Sequence, residues 1–140
     1  MKPYWKCFLY IIDHKLKVLI ECWKERLYIQ GIFHDMSKFS PKEFFPYTKK
    51  FFSDTKLTDA EELEWKYAWL HHQHKNKHHW NYWVVNQHSR EAVPMPTKYL
   101  LEMICDWRAL FKEPKVMITD KIILHPDTKE ELKNLLNKST

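Results

Sequence analysis

The residues best suited to metal chemistry lie in the segment from Gly31 to Lys38, Gly-Ile-Phe-His-Asp-Met-Ser-Lys. A neutral imidazole supplies a nitrogen ligand and a carboxylate supplies an oxygen ligand, a combination that suits divalent Mn, Fe, Co, Ni or Zn. Because His34 and Asp35 are adjacent, both side chains can reach one ion at the start of a helix. Lys38 follows about one helical turn later, within reach of an anionic group on that ion. The segment therefore predicts a metal site with a cationic neighbour.

A second concentration of possible ligands lies between residues 71 and 83, where five of the nine histidines occur within nine residues. The simpler interpretation is a solvated turn rich in His and Lys. Large aromatic residues flank these histidines, however, and aromatic residues at this density are substantially buried. Histidines tied to that packing need partners, so we expect at least two of them to be metal ligands.

Which of the clustered histidines are ligands depends on where the helix ends. A continuous helix gives two alternative faces: His72, Asn76 and His79, or His71, His74 and His78. If the helix instead ends at Asn76, the adjacent pair His78 and His79 is free to turn toward a metal. The sequence leaves these alternatives open.

Two further candidates lie on helices predicted from apolar spacing. Residues 3–30 predict one long helix ended by Gly31, with His14 on its buried stripe. A single buried histidine usually has one ordinary partner, but the nearby His-Asp doublet favours a ligand. A helix predicted from Thr97 to about Lys112 carries Asp106 at the edge of its apolar stripe, one turn after Glu102. A buried aspartate needs a partner, either a neighbouring cation or a metal ion.

The composition predicts an all-α fold. One glycine and seven prolines among 140 residues argue against a β-rich chain with many tight turns. We expect a single domain over residues 1–140, built as a bundle of about five to seven helices. The metal-site core is expected between about residues 10 and 110, with a C-terminal packing helix at about 127–138.

The charge and the cysteines limit the partners and the compartment. A net charge of +5 favours anionic partners, but the lysines are spread evenly, so nucleic acid is possible without being favoured. With one glycine, a P-loop or Rossmann fingerprint is excluded. Three scattered cysteines, no secretion signal and no long apolar run predict a cytoplasmic protein that does not enter a membrane.

Taken in order, these candidates resemble the HD-domain superfamily of metal-dependent phosphohydrolases. There an α-helical bundle supplies a His, a His-Asp doublet and a late Asp to one metal, and further histidines can hold a second. The segment from His34 to Lys38 is similar to the His-Asp-x-Gly-Lys form of the cyclic-dinucleotide phosphodiesterase branch, where the lysine faces phosphate. Ser37 replaces the glycine and no Gly-Tyr-Pro motif follows, so that branch's substrate is not expected. The chain looks like a small, divergent member of the type found in bacteria and their phages.

This resemblance implies a role for each candidate and one or two divalent ions (Mn, Fe, Co, Ni or Zn) as cofactors. The ligands of a first ion would be His14, His34, Asp35 and Asp106. Asp35 would bridge to a second ion, held by His71 or His72 together with His78 and His79. Asp35 and Lys38 would be the catalytic residues, with Lys38 on the substrate phosphate.

The expected activity is hydrolysis of a nucleotide or another small phosphoester by metal-activated water. Trp80, Tyr82 or Trp83 could stack a nucleobase, and Asn76 is a further candidate for substrate binding. Two alternatives remain open. One is a diiron oxygenase, because some HD-fold proteins with a similar ligand set oxidise C–H bonds. The other is a non-catalytic, phage-type protein that sequesters a nucleotide or blocks a host factor.

Overall fold

Helix α1 spans Pro3–Lys24 and buries the stripe that the apolar spacing predicts. The computed structural model describes residues 2–138 of the chain. In α1 the buried side chains recur every three or four residues, as one face of a helix requires; they are Cys7, Ile11, His14, Val18 and Cys22. His14 is thus held on the buried side of the longest helix.

The prediction of one helix over residues 3–30 is wrong at its C-terminal end. Helix α1 stops at Lys24, and Arg26 adopts a positive φ of 61° that reverses the chain direction. Helix α2 then runs over Tyr28–Phe33. Gly31 therefore lies inside α2 and does not end a helix.

Gly31 is required by the packing of α2 against α1. The residue is buried, and a Cβ at this position would lie 2.9 Å from Cβ of Cys22 and 3.0 Å from Cδ1 of Leu19. Real side chains almost never approach that closely, so only glycine fits without a shift of one helix. The close contact fixes the position at which His34 and Asp35 leave α2.

Four further α-helices complete the bundle within the described residues: α3 (Pro41–Phe52), α4 (Asp59–Lys75), α5 (Thr97–Leu110) and α6 (Pro126–Lys138). Between α4 and α5 lies a short antiparallel hairpin, β1 (Val84–Asn86) and β2 (Glu91–Ala92). The prediction of an all-α single domain with about five to seven helices is confirmed. None of the helices described combines the length and apolar character that crossing a membrane requires.

The bundle is organised around α1, which packs against α2, α3 and α5, while α4 packs against α3. A larger apolar core joins α5 to α6 through Leu100, Ile104, Leu132 and Leu136. A smaller one joins α1 to α5 through Val18, Cys22 and Cys105. Helix α5 therefore holds its polar face, with Glu102 and Asp106, against α1.

Only one of the two capping boxes that the Ser/Thr-x-x-Glu pattern predicts is formed. At the start of α4, the backbone N–H of Glu61 donates to Thr58, and the Glu61 carboxylate accepts from the backbone N–H of Thr58. At the start of α3, Ser40 makes no side-chain cap, and its hydroxyl donates to the carbonyl of Ser37. Glu43, the expected partner of Ser40, instead turns inward to the histidines of α4.

Candidate metal centre

Side chains from three separate parts of the chain converge at one buried point. Nε2 of His14 on α1 lies 2.9 Å from Oδ1 of Asp106 on α5. Nε2 of His34, just after α2, lies 3.5 Å from Oδ2 of Asp35 and 3.6 Å from Oδ1 of Asp106. All four residues are buried. The four positions predicted from sequence therefore share one place in the fold.

The other oxygen of Asp35 faces the histidines of the second segment. Oδ1 of Asp35 lies 3.4 Å from Nε2 of His72 and 3.3 Å from Nε2 of His78. His79 completes this side, because its ligand atom lies within 4.8 Å of those of Asp35, His72 and His78. Asp35 thus stands between two sets of imidazoles.

These seven residues form what we call the His/Asp cluster: His14, His34, Asp35, His72, His78, His79 and Asp106. It contains three overlapping groups of three or four residues whose ligand atoms lie within 4.8 Å of one another. Ligands lie about 2.0–2.2 Å from a zinc-sized ion, so two ligands of one ion are separated by about 3–4 Å. The observed separations fit that range.

The backbone at Asp35 explains how adjacent side chains both reach the cluster. Asp35 adopts a left-handed conformation with φ of 53° directly after α2. Such a conformation is uncommon for a residue with a side chain, although Asp tolerates it better than most. Lys15 on α1 donates to the carbonyl of His34 at 2.9 Å and to that of Ile32, which secures the C-terminal end of α2. Helix α2 therefore ends just before His34 and Asp35, where the chain turns so that both side chains reach the cluster.

Two carboxylates outside the cluster orient its histidines. Nδ1 of His34 donates to Oε1 of Glu102 at 2.9 Å, and Nδ1 of His78 lies 3.2 Å from the same oxygen. Glu43 accepts from Nδ1 of His72 at 2.8 Å. When Nδ1 carries the proton, Nε2 is left as a free donor atom directed at the cluster, as in carboxylate–histidine–metal arrangements.

Sequence alone does not give either carboxylate this role. Glu102 lies one helical turn before Asp106, which was the available signal, but the spacing equally fits a pair of surface acids. Glu43 occupies the third position after Ser40 and was interpreted as a cap. Both are buried in the structure.

Among the residues that the structure describes, the buried side-chain polar atoms that lack hydrogen bonds all belong to this cluster: His34 Nε2, Asp35 Oδ1, His78 Nε2, His79 Nε2 and Asp106 Oδ1. An unsatisfied buried polar atom costs about 1–3 kcal/mol. Oδ1 of Asp106 is only 2.9 Å from His14, yet this approach does not have the geometry of a hydrogen bond. The donor set and its unsatisfied atoms fit a divalent cation.

The electrostatics of the cluster also favour a positive charge. Burial acts to lower the pKa of His34, but the surrounding carboxylates outweigh it and raise this pKa to about 10. Burial acts to raise the pKa values of Asp35 and Asp106, but the neighbouring histidines hold both well below the usual range. Burial, together with the charges of neighbouring histidines, lowers the pKa of His79 well below its ordinary value, which keeps it in the metal-binding form.

A family model described as "Family of unknown function (DUF5662)" matches residues 3–138. The chain belongs to this family. The matched region contains the whole His/Asp cluster. No curated protein and no solved structure matches the chain.

Lys38 lies beside the cluster in this DUF5662 chain, as the sequence predicts. Its Nζ is 2.8 Å from Oδ2 of Asp35 and 5.6 Å from the centroid of the Tyr47 ring. Burial acts to lower the pKa of Lys38, but the Asp35 carboxylate outweighs it, and the pKa is raised above its ordinary value. The ammonium is therefore a fixed positive charge at the site.

A cavity of about 270 Å³ opens at the cluster. Its inner end is formed by cluster residues together with Lys38 and Glu43. Its outer part is formed largely by aromatic side chains of α3 and α4, which we call the aromatic wall: Tyr47, Phe51, Trp65 and Trp69. The volume is close to the lower limit for small-molecule sites.

Two residues that the sequence predicts as a metal ligand or a substrate-binding residue make other contacts in the structure. Of the alternatives His71 and His72, the structure brings His72 into the cluster; His71 donates to Glu43 at 2.6 Å and belongs to none of the groups formed by the described residues. Asn76, predicted to bind substrate, donates to Ser37 at 2.8 Å and to the carbonyl of His72 at 2.8 Å. Its role is to support the turn after α4.

The residues predicted to stack a base, Trp80, Tyr82 and Trp83, are not among the described residues that line the cavity. Trp80 and Trp83 pack against the core between α5 and α6, because the chain turns away after His79. Tyr82 is exposed beside Trp83. The Phe, Tyr and Trp residues that do line the cavity come from α3 and α4, except Tyr10, which comes from α1.

Proposed function

We propose that this chain is a metal-dependent phosphohydrolase of the HD-domain type, acting on a nucleotide or another small phosphoester. The observation that carries the proposal is the buried meeting of imidazole nitrogens and carboxylate oxygens that lack hydrogen bonds. Apolar packing would not collect such atoms, because each one costs free energy when buried without a partner. A cation supplies that partner.

The cluster offers ligands for two ions that share Asp35. One set would consist of His14, His34 and Asp35, with Asp106 close to the first two, at 2.9 Å from His14 and 3.6 Å from His34. The other consists of Asp35, His72, His78 and His79. The chemistry that divalent ions supply at such sites is polarisation of phosphoryl oxygens and activation of water near neutral pH.

The chain's own residues supply orientation and charge. Glu102 and Glu43 hold Nδ1 of their histidines, so that Nε2 of each is directed inward. Lys38 places a permanent positive charge at the inner end of the cavity, where it would neutralise charge that develops on a phosphoryl group. The cavity admits a small ester and limits the water around it.

The first test is elemental analysis of purified protein, with His72→Ala compared with His74→Ala. Both histidines lie on α4, but His72 is buried in the cluster and His74 is exposed. We expect wild type and His74→Ala to retain about one to two divalent ions per chain, and His72→Ala to retain fewer. A metal content near zero in wild type, with no uptake on reconstitution, would contradict the proposal.

The second test is phosphate release from a panel of nucleotides and simple phosphoesters by the metal-loaded protein. We expect turnover in wild type and His74→Ala, and a loss of at least about 100-fold in Asp35→Asn. Turnover that is equal in wild type and Asp35→Asn would mean that a contaminating phosphatase is responsible.

A second candidate is oxidation of a C–H bond at a diiron centre. The histidine-rich ligand sets and the aromatic cavity favour it, because iron oxygenases commonly combine histidine and carboxylate ligands. Iron in the elemental analysis together with substrate-dependent O₂ consumption would support this function. Oxygen-independent phosphate release with Mn, Co, Ni or Zn would support hydrolysis.

A further inference from the structure

The aromatic wall is continuous with the candidate metal centre. The ring of Trp69 stacks on His72 of the cluster, with centroids 5.6 Å apart and planes 19° apart. Trp65 stacks on Trp69 at 6.0 Å and 27°. Phe51 meets Trp65 edge to face at 5.0 Å. A row of packed aromatic rings therefore leads from a candidate ligand to exposed residues that line the cavity.

The mouth of the cavity leaves large apolar side chains uncovered. Phe51 is 55% exposed, Trp69 40% and Leu110 46%. All three line the cavity, as does Tyr10. Grouped apolar exposure beside a polar site is typical of ligand binding, because a ligand removes this surface from water.

Among the described residues, those that form the outer part of the cavity carry no charge. The charged residues that line the cavity are those of the cluster, Glu43 and Lys38, all at its inner end. Glu43 is already engaged by His71 and His72, and Lys38 by Asp35. An anionic group placed against the aromatic wall would lose hydration without gaining a partner, because aromatic faces attract cations and not anions.

We infer that the site selects phosphate esters whose organic part is a flat aromatic group without further negative charge. The ring lies against Trp65 and Trp69, while the phosphate lies at the His/Asp cluster beside Lys38. The position of the phosphate rests on the proposed function; the preference for an aromatic ring rests on the wall itself. Esters that carry further phosphates or a charged sugar acid on the organic part are disfavoured.

The test is calorimetric binding of three non-hydrolysable probes to the metal-loaded protein: phenylphosphonate, cyclohexylphosphonate and methylphosphonate. All three carry the same phosphonate group, and they differ in its substituent, which is an aromatic ring, a saturated ring or a methyl group. We expect phenylphosphonate to bind at least about tenfold more tightly than methylphosphonate and severalfold more tightly than cyclohexylphosphonate. Trp65→Leu should reduce the preference over methylphosphonate by about tenfold.

The matched control is Tyr67→Leu, because Tyr67 lies on the same helix but is 65% exposed and does not line this cavity. It should keep the wild-type preference. Equal binding of the three probes, no binding of any of them, or a preference that persists in Trp65→Leu would overturn the inference.

Metal content and phosphate release, measured on the same preparations, separate this inference from the proposed function. A protein that retains metal and releases phosphate without a preference for the aromatic probe contradicts only the inference. A protein that prefers phenylphosphonate and loses the preference in Trp65→Leu supports the inference even if it releases no phosphate.

Discussion

Oε1 of Glu102 accepts a hydrogen bond of 2.9 Å from Nδ1 of His34. The same oxygen lies 3.2 Å from Nδ1 of His78, so one buried carboxylate is shared by two candidate ligands from distant parts of the chain. Because a carboxylate only accepts, the protons belong on Nδ1 and the Nε2 atoms face the cluster. Glu102 therefore links the orientation of the two imidazoles.

We expect Glu102→Gln to weaken metal binding by about 10–100-fold. The amide oxygen can still accept from Nδ1 of both histidines, but it lacks the negative charge that makes the two imidazoles more basic ligands. Competition against a chelating dye measures the affinity. Glu130→Gln on α6, at an exposed position, should bind metal as wild type does. An unchanged affinity in Glu102→Gln would show that the histidines do not depend on this carboxylate.

A second prediction concerns the pH dependence of the chelated protein. The pKa of folded His34 is raised to about 10, compared with about 6.5 in an unfolded chain. Its stabilising contribution is therefore fully present below about pH 6.5 and is lost as the pH rises through about 10. Since the pKa values of Asp35 and Asp106 are lowered, their contributions are lost only under acidic conditions, as the pH falls below about 4.

The stabilisation of the protein by bound metal should instead increase with pH, because protons compete with the ion for imidazole nitrogen. We expect the Tm difference between metal-loaded and chelated protein to grow by about 5 °C or more from pH 6 to pH 9. Scanning calorimetry at constant ionic strength measures it. His88→Gln, at an exposed position, should keep the trend and His34→Gln should lose it. A Tm difference that is constant with pH would contradict this prediction.

The fold was predictable where the spacing of residues along a helix shows which of its faces is buried. The stripe from Cys7 to Cys22 could be read directly, because residues on the buried face of a helix recur every three or four positions. The role of Gly31 could not, because it depends on how closely α2 approaches Cys22 and Leu19. From sequence alone, Gly31 is a residue with wide conformational freedom of the backbone. In helical proteins that freedom most commonly places glycine at the end of a helix.

The candidate site was predictable to a similar extent. His14 and Asp106 could be found because polar residues on apolar stripes need a reason to be there. Glu43 was missed because its position also fits a helix cap. The lining aromatic residues could not be told from core residues, since both are large and apolar, and which of them face a cavity is decided by packing between α3 and α4.

Gly31→Ala tests the contact that positions the doublet. A Cβ there would lie 2.9 Å from Cβ of Cys22, an atom that cannot swing aside. Overpacking costs about 1–3 kcal/mol, while helix propensity favours alanine by about 1 kcal/mol. We expect a net loss of up to about 2 kcal/mol in the free energy of unfolding, measured with denaturant. Ile29→Ala, at a position that is 70% exposed, should change it by less than about 0.5 kcal/mol. A stabilised Gly31→Ala would mean that α2 can move away freely.

Lys38→Met separates metal binding from turnover. Its Nζ lies 2.8 Å from Oδ2 of Asp35, so removing the ammonium leaves more negative charge for a cation, and metal affinity should be equal or higher. Turnover of a phosphoester should fall by about 100-fold or more, because the positive charge at the inner end of the cavity is gone. Lys42→Met, at an exposed position on α3, should leave both properties unchanged. If Lys38→Met loses metal together with activity, Lys38 has a structural role at Asp35; if it loses neither, the lysine does not contact the phosphate.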